Sequence, residues 1–295
     1  MKLSAPIVIA ALLALIPYLV AAFFGTRFAS VVERLSQAAR IALPALLCIP
    51  YTLVAASSGI FRWYWFCLYA LLPVTIAAIL DWSRRADSEQ RGNWRDYLVL
   101  LPLGLAVDLR WFEPAWPPHM AIFNKVLLLD AGIYGFQMMR RLDGVGFDLR
   151  LRWKDWRVGL REFFLYAPVA IALGLSLGFL HVHALWPSLL QVAGFVFIFL
   201  FIAVPEELYF RGWMQNLLQR RMGRTPALLL TAALFGLSHW NKRTVSSNVS
   251  FNWQYVLLAA LAGIFYGRAW RQEHRVGASA ITHASVDTVW SIWLR

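Results

Sequence analysis

Long apolar runs constrain the fold of this chain more than any other feature of its sequence. Several approach the length of about 20 residues that a helix needs to cross a bilayer. Because the backbone must satisfy its own hydrogen bonds in lipid, such runs predict helices. The sequence therefore predicts an all-α fold, a polytopic transmembrane helical bundle with about ten apolar segments. These segments are 5–24, 41–61, 63–80, 97–107, 121–139, 163–182, 186–218, 225–240, 253–270 and 277–294.

The composition supports a membrane protein. The chain is 60% hydrophobic and 15% charged, whereas about a quarter of the residues in a soluble domain are charged. Its net charge of +12 would suit a nucleic-acid partner in a soluble protein, but here we expect no nucleic acid to bind. The basic residues instead predict cytosolic connections that face anionic lipid.

Every second connection is basic if all ten segments cross the membrane. The positive-inside rule then places these connections in the cytosol and both termini on the non-cytosolic side. We therefore expect a multi-pass integral protein of the bacterial inner (plasma) membrane. The basic connections are residues 25–40, 81–96, 140–162, 219–224 and 268–276.

Two adjacent glutamates, Glu206 and Glu207, follow the apolar stretch 186–205. A carboxylate at membrane depth costs on the order of 3 kcal/mol on insertion scales, so such residues are rare and usually functional. In a helix, Glu207 and Arg211 share a face at positions i and i+4 and can neutralise each other. Glu206 has no cation at i+3 or i+4. We therefore predict a structural role for Glu207 and a general-base role for Glu206.

Two further polar clusters lie in later apolar segments. Phe235 and His239 are four residues apart, so the phenylalanine ring can pack beneath the imidazole. A rise of about 1.5 Å per residue, counted from the intervening basic turn, puts Glu206 and His239 at one depth on antiparallel helices. His283 and Asp287 are also four residues apart. They can form a hydrogen bond that either orients the imidazole for chemistry or is purely structural.

Two Gly-x-x-x-Gly pairs, Gly174/Gly178 and Gly263/Gly267, indicate sites where helices approach closely. Such contacts occur within a bundle or between subunits. Contact within the bundle is the default interpretation.

Taken in order, the three polar motifs resemble the CAAX prenyl protease and bacteriocin-processing family. They are Glu-Glu-x-x-x-Arg at 206–211, Phe-x-x-x-His at 235–239 and His-x-x-x-Asp at 283–287. This family, also called CPBP or ABI, consists of glutamic-type intramembrane proteases and includes the type II CAAX prenyl endopeptidases. The resemblance covers roughly residues 163–294. We therefore divide the chain into an N-terminal transmembrane region of unknown role, 1–160, and a CAAX-protease-like intramembrane catalytic core, 161–295.

The resemblance also implies roles for individual residues. By analogy with the family, Glu206 and His239 activate a water molecule, and His283 and Asp287 stabilise the oxyanion that forms on the scissile carbonyl. Glu207, Arg211 and Phe235 become supporting residues, and no cofactor is implied. The expected partner is a membrane-embedded or membrane-anchored peptide or protein substrate.

Position 287 departs from the better-known family members, which have asparagine there. An amide donates hydrogen bonds, whereas an ionised carboxylate only accepts them. Three readings of Asp287 follow. It is protonated, or it orients His283 so that the imidazole becomes the donor, or it binds a cation.

Two alternative functions use the same residues. A glutamate, two histidines and an aspartate form a ligand set that suits zinc, although no His-Glu-x-x-His run is present. The protein would then be a metal-dependent intramembrane protease. In the other alternative, the polar cluster belongs to a membrane scaffold, an immunity protein or a transporter and binds an ion or a partner.

Overall fold

The computed structural model of the protein describes residues 4–183, 186–242 and 251–294. These residues form ten continuous helices, so the predicted all-α fold is confirmed, and the chain divides into two compact units. The first unit, Met1–Asp143, contains α1 (Ala5–Glu33), α2 (Gln37–Ser57), α3 (Trp63–Ala86), α4 (Trp94–Asp108) and α5 (Ile122–Ile133, continued as a π-helix over Tyr134–Met139). The second unit, Gly144–Arg295, contains α6 (Trp153–Ser176), α7 (Leu189–Met222), α8 (Arg224–Leu237), α9 (Trp253–Glu273) and α10 (Val276–Trp293).

Five of the described helices, α1, α2, α3, α6 and α7, are long and apolar enough to cross a bilayer. They indicate a multi-pass membrane protein. The prediction of about ten apolar segments is therefore wrong as a count of membrane spans. One reason is length, because α4 has 15 residues and α8 has 14, fewer than the about 20 that a span needs. Another is polarity, because α10 carries serine, threonine, His283 and Asp287 within its 18 residues.

A buried ion-pair node joins three helices of the N-terminal unit. Arg140, which follows α5, is fully buried, and its Nε lies 2.8 Å from Oδ1 of Asp96 in α4. The same guanidinium also contacts Asp87 at the end of α3. A buried cation without such partners would be strongly destabilising, so this node fixes the neighbouring ends of α3, α4 and α5.

In the C-terminal unit, α9 packs against α6, α8 and α10. The two glycines of α9, Gly263 and Gly267, let α8 pack close to it. A Cβ atom at Gly263 would lie 2.9 Å from the Cα of Ala232, and one at Gly267 would lie 2.3 Å from a methyl carbon of Leu228. For this glycine pair, the predicted helix contact within the bundle is confirmed.

The basic connections of the C-terminal unit meet at one end of its bundle, which we call the basic end. Arg275 lies between α9 and α10, and its Nε is 2.8 Å from Oδ1 of Asp155 in the first turn of α6. The Nη1 atom of Arg275 is 3.3 Å from Oδ2 of Asp148. Burial alone would raise the pKa of the Asp148 carboxyl, but hydrogen bonds from Arg150 and Arg275 outweigh it and lower that pKa to about 2.

The segment before α6 belongs to the same end. The backbone oxygen of Val145 accepts a hydrogen bond of 3.1 Å from the Trp270 indole, and the oxygen of Gly146 accepts one of 2.9 Å from the backbone of Val276. These contacts explain why the second compact unit begins at Gly144. The predicted division at residues 160 and 161 concerned function, and it stays a prediction.

Candidate active site

The glutamate doublet lies on α7, in a stretch with unusual helical geometry. Glu206 and Glu207 occupy a single α-helical turn, Val204–Glu207, between two π-helical stretches, Phe199–Ala203 and Leu208–Gln215. Pro205 has no N–H to donate to the carbonyl one turn earlier, which weakens the regular α-helical pattern before the doublet. Short π-helical stretches inside helices often mark functional sites.

Glu207 is fully buried and is the centre of a hydrogen-bond network. Its Oε1 accepts from Nη1 of Arg211 at 3.0 Å and lies 2.8 Å from Nδ1 of His283, and its Oε2 accepts from the Ser279 hydroxyl. The other Arg211 nitrogen, Nη2, donates to the backbone oxygen of Gly263 at 3.1 Å. The predicted ion pair between Glu207 and Arg211 is thus present, and it links α7 to both α9 and α10.

The His283 ring is held on its faces as well as at its nitrogens. The ring of Tyr266 stacks on it with centroids 4.6 Å apart, and the ring of Phe235 meets it edge-on at 5.7 Å. Its Nε2 lies 3.5 Å from Oδ2 of Asp287. The predicted proximity of His283 and Asp287 is confirmed, but the shortest contact of the ring is with Glu207, on another helix.

Glu206 points differently from its neighbour. Its side chain is 29% exposed, whereas that of Glu207 is 0% exposed. Its Oε2 lies 3.9 Å from Nε2 of His283 and its Oε1 lies 4.0 Å from Nζ of Lys242. The sequence shows no cation near Glu206 on its own helix. The structure adds one from outside that helix, because Lys242, which lies beyond α8, approaches the Glu206 carboxylate.

His239 is buried just after the end of α8, and its orientation is fixed. Its Nδ1 lies 2.8 Å from the backbone oxygen of Phe235, and the Phe235 ring packs 4.9 Å from the imidazole. The predicted packing of Phe235 and His239 is confirmed. Because a carbonyl only accepts hydrogen bonds, Nδ1 carries the proton, and in the neutral ring Nε2 is the basic nitrogen.

His239, His283 and Asp287 line one cavity of the C-terminal unit, which is otherwise walled mostly by aromatic and aliphatic side chains from α6, α9 and α10. Its volume is about 90 Å³, and a water molecule needs about 10–15 Å³ of such space. Glu206 reaches the same His283 imidazole from α7. The structure therefore brings Glu206, His283 and Asp287 together and places His239 in the wall of the same cavity.

The sequence did not identify every residue of the site. Ser279, Tyr266 and Lys242 each contact one of the predicted residues. Ser279 could have been found, because it stands four residues before His283 and shares its helix face with His283 and Asp287. Tyr266 and Lys242 reach the site through tertiary packing, for which the sequence pattern has no signal.

A metal site would need several ligands close together. Among the residues that the structure describes, no group of three or more histidines, cysteines, aspartates or glutamates is placed to hold a metal ion.

A comparison with protein families supports the resemblance that the motifs suggest. Residues 187–289 match the family of Rce1-like type II CAAX prenyl endopeptidases. This stretch contains all three motifs and runs from the beginning of α7 into α10. The chain matches no curated protein and no solved structure in the same comparisons. The family resemblance is thereby confirmed over this part of the chain, and it indicates an intramembrane protease that acts on a protein substrate.

Proposed function

We propose that the protein is an intramembrane endopeptidase that cleaves a membrane-associated peptide or protein tail with a water activated by Glu206 and His239. The observation that carries the proposal is the contrast within the glutamate doublet. Glu207 is buried and saturated by Arg211, Ser279 and His283, whereas Glu206 is 29% exposed. A partly exposed carboxylate beside an imidazole can reach a water molecule, which a buried carboxylate in an ion pair cannot.

The proposed base is the pair Glu206 and His239. The Nδ1 proton of His239 is engaged by the Phe235 carbonyl, so its Nε2 is the nitrogen that can accept a proton or hydrogen-bond a water. Glu206 removes a proton from that water, whose oxygen attacks the scissile carbonyl. The family match supports this division of roles, because both residues stand in the matched stretch, residues 187–289.

The proposed oxyanion site consists of His283 with Asp287 beside its Nε2. The ring is immobilised by Glu207 at Nδ1 and by Tyr266 on its face, so its Nε2 is presented in one direction. Fixed donors lower the barrier of acyl transfer because they need not reorganise when charge develops. Arg211, Phe235 and Glu207 act by holding this arrangement.

The substrate is proposed to approach from the non-cytosolic side. In the C-terminal unit, α6 and α10 both begin at the basic end, next to Asp155 and Arg275. His239 and Asp287 lie toward the other ends of their helices. If the basic end faces the cytosol and anionic lipid, as the positive-inside rule favours, the site opens in the opposite half of the bilayer, and the C terminus is non-cytosolic.

The test is a comparison of membrane-protein termini in cells that contain the wild-type protein or the variant Glu206→Gln. We expect at least one terminus to depend on the wild-type protein and to be lost in the variant, because an amide cannot act as the base. The matched control is Glu273→Gln, since Glu273 is comparably exposed at 21% and pairs with Lys154 at the basic end. Termini that persist in Glu206→Gln and disappear in Glu273→Gln would contradict the proposal.

The same comparison separates a protease from a scaffold or transporter. Such proteins would tolerate Glu206→Ala and His239→Ala without any change in the cleaved termini of other proteins.

Adding a strong chelator to the purified protein tests the metal-dependent alternative, because glutamate–histidine chemistry survives chelation.

A further inference from the structure

The His283 ring lies among three carboxylates. Oε1 of Glu207 is 2.8 Å from its Nδ1. On its other side, Oδ2 of Asp287 and Oε2 of Glu206 are 3.5 and 3.9 Å from its Nε2. The side chain of His283 is only 4% exposed, so bulk water does little to screen these groups from one another.

This arrangement favours a ring with a proton on both nitrogens. Ionised carboxylates accept hydrogen bonds and donate none, and a neutral imidazole has a single N–H. With that N–H directed at Glu207, the lone pair of Nε2 would face two further carboxylates. A proton on Nε2 turns this repulsion into attraction, because an opposite charge within about 4–6 Å favours the charged form of a group.

The surrounding charges agree with this assignment. The titratable side chains that contact His283 or line the same cavity are Glu206 and Glu207 from α7, His239 after α8, Tyr255 and Tyr266 from α9, Tyr166 from α6, and Asp287 from α10 itself. Arg211 compensates Glu207, with which it forms a direct ion pair. Glu206 and Asp287 are the carboxylates on the Nε2 side of the ring, and Lys242 is 4.0 Å from the other oxygen of Glu206.

We propose that His283 is the proton donor to the departing amine nitrogen, and that Asp287 is a positioning residue that keeps the second proton on Nε2 of that ring. The inference rests on the proposed protease function. It adds a general acid, His283, to the proposed base, Glu206 with His239. An asparagine at this position would have no negative charge to hold that proton. The acid at position 287 thus gives this chain a proton donor that works to higher pH.

The proton balance of the reaction closes. Water forms a C–O bond to the scissile carbonyl carbon and gives one proton to Glu206, which leaves a tetrahedral oxyanion near the Nε2–H of His283. The C–N bond then breaks, the carbonyl re-forms, and the amine nitrogen takes the Nε2 proton. Glu206 returns its proton to Nε2 across the 3.9 Å that separate these groups, and both residues regain their starting states.

The first test measures the protonation of His283 directly and needs no substrate. The full-length protein, labelled with ¹⁵N-histidine and held in detergent micelles, is titrated by NMR, and the His283 signals are assigned by their loss in His283→Gln. We expect both ring nitrogens to be protonated at pH 7.5 in the wild-type protein. In Asp287→Asn we expect the ring to lose a proton at a pH lower by about one unit or more, the size of effect typical of a removed neighbouring charge. A neutral ring at pH 7.5, or a titration unchanged in Asp287→Asn, would overturn the inference.

The second test measures the catalytic role. A substrate found by the comparison of termini is made as a peptide with either its natural amide or an ester at the cleaved bond. An alkoxide leaves with less help from an acid than an amine does. When the pH is raised from 6.5 to 9, we expect the rate at which Asp287→Asn cleaves the amide to fall about tenfold or more. We expect its rate of ester cleavage to fall less than threefold. Equal losses for both bonds would show a merely structural role and overturn the inference, whereas cleavage that survives in Glu206→Gln would instead refute the protease assignment.

Discussion

At the residue scale, the buried pair of Glu207 and Arg211 supports the site by anchoring His283. Both side chains are 0% exposed. Removing one partner of a buried ion pair leaves an uncompensated charge and costs about 3–5 kcal/mol. We therefore expect Arg211→Met to lower the free energy of unfolding by that amount and to abolish cleavage, because the anchor of His283 is also lost. Reversible unfolding of the detergent-solubilised protein measures the effect.

Two variants control this prediction. Arg157→Met removes an arginine from the exposed face of α6, and we expect a change within about 0.5 kcal/mol, as for most surface substitutions. Adding Glu207→Gln to Arg211→Met removes the stranded charge and should recover part of the lost stability. If the double variant is as unstable as the sum of its single changes, the two side chains are not energetically coupled.

The sequence could predict contacts between residues four positions apart but not those between distant helices. Spacing of four residues indicated the pairs Glu207 with Arg211, Phe235 with His239 and His283 with Asp287, and the structure shows all three. The contact between His283 and Glu207 joins residues 76 positions apart. No local periodicity encodes such a contact, so the sequence assigned the orientation of the imidazole to Asp287 and missed the dominant carboxylate.

At the scale of elements, the closest helix contact is the one between α8 and α9. A Cβ atom at Gly263 would come 2.9 Å from the Cα of Ala232, which is backbone and cannot turn aside as a flexible side chain could. Overpacking of this kind costs about 1–3 kcal/mol. We expect Gly263→Ala to lower the stability by that amount and to shift α9 relative to Arg211, whose Nη2 donates to the Gly263 oxygen.

The matched control is Gly194→Ala in α7. No atom lies within 4 Å of a Cβ atom placed there, and alanine has the higher helix propensity by about 1 kcal/mol. This variant should unfold at the same or a higher temperature than the wild-type protein in thermal scans. If both glycine variants behave alike, the close packing of α8 on α9 does not limit stability.

Element positions were easier to predict than element geometry. The apolar runs locate all ten described helices, but several helices start earlier than the runs. The helix α6 begins at Trp153 rather than near residue 163, because its first turns are polar and bind the basic end through Asp155. The π-helical stretches around the glutamates were not predicted, since a change from i+4 to i+5 hydrogen bonding leaves no mark on hydrophobic periodicity.

At the scale of the whole molecule, counting apolar runs overestimates the number of membrane spans. Five helices in the described part of the chain satisfy both length and apolarity, whereas the orientation inferred from alternating basic connections assumed ten crossings. The charge asymmetry within the C-terminal unit does not depend on that count. Arg275 donates to the backbone oxygen of Arg150 and Arg271 donates to that of Arg224, so the basic connections 140–162, 219–224 and 268–276 meet at one end of the bundle. At the other end of α10, the backbone N–H of His183 donates a hydrogen bond to the backbone oxygen of Trp293.

This asymmetry predicts which end of the C-terminal unit faces the cytosol. Lys154 at the basic end is 66% exposed, and Trp186, which precedes α7, is 99% exposed. In a background with Cys48→Ala and Cys67→Ser, we expect Trp186→Cys to react with a membrane-impermeant maleimide on intact cells. We expect Lys154→Cys to react only after permeabilisation, because the positive-inside rule keeps basic connections in the cytosol. Total labelling in permeabilised cells controls for expression and for access to each thiol. The reverse pattern would place Glu206 and His239 in the cytosolic half of the bilayer, so that the substrate tail would have to be presented from the cytosol.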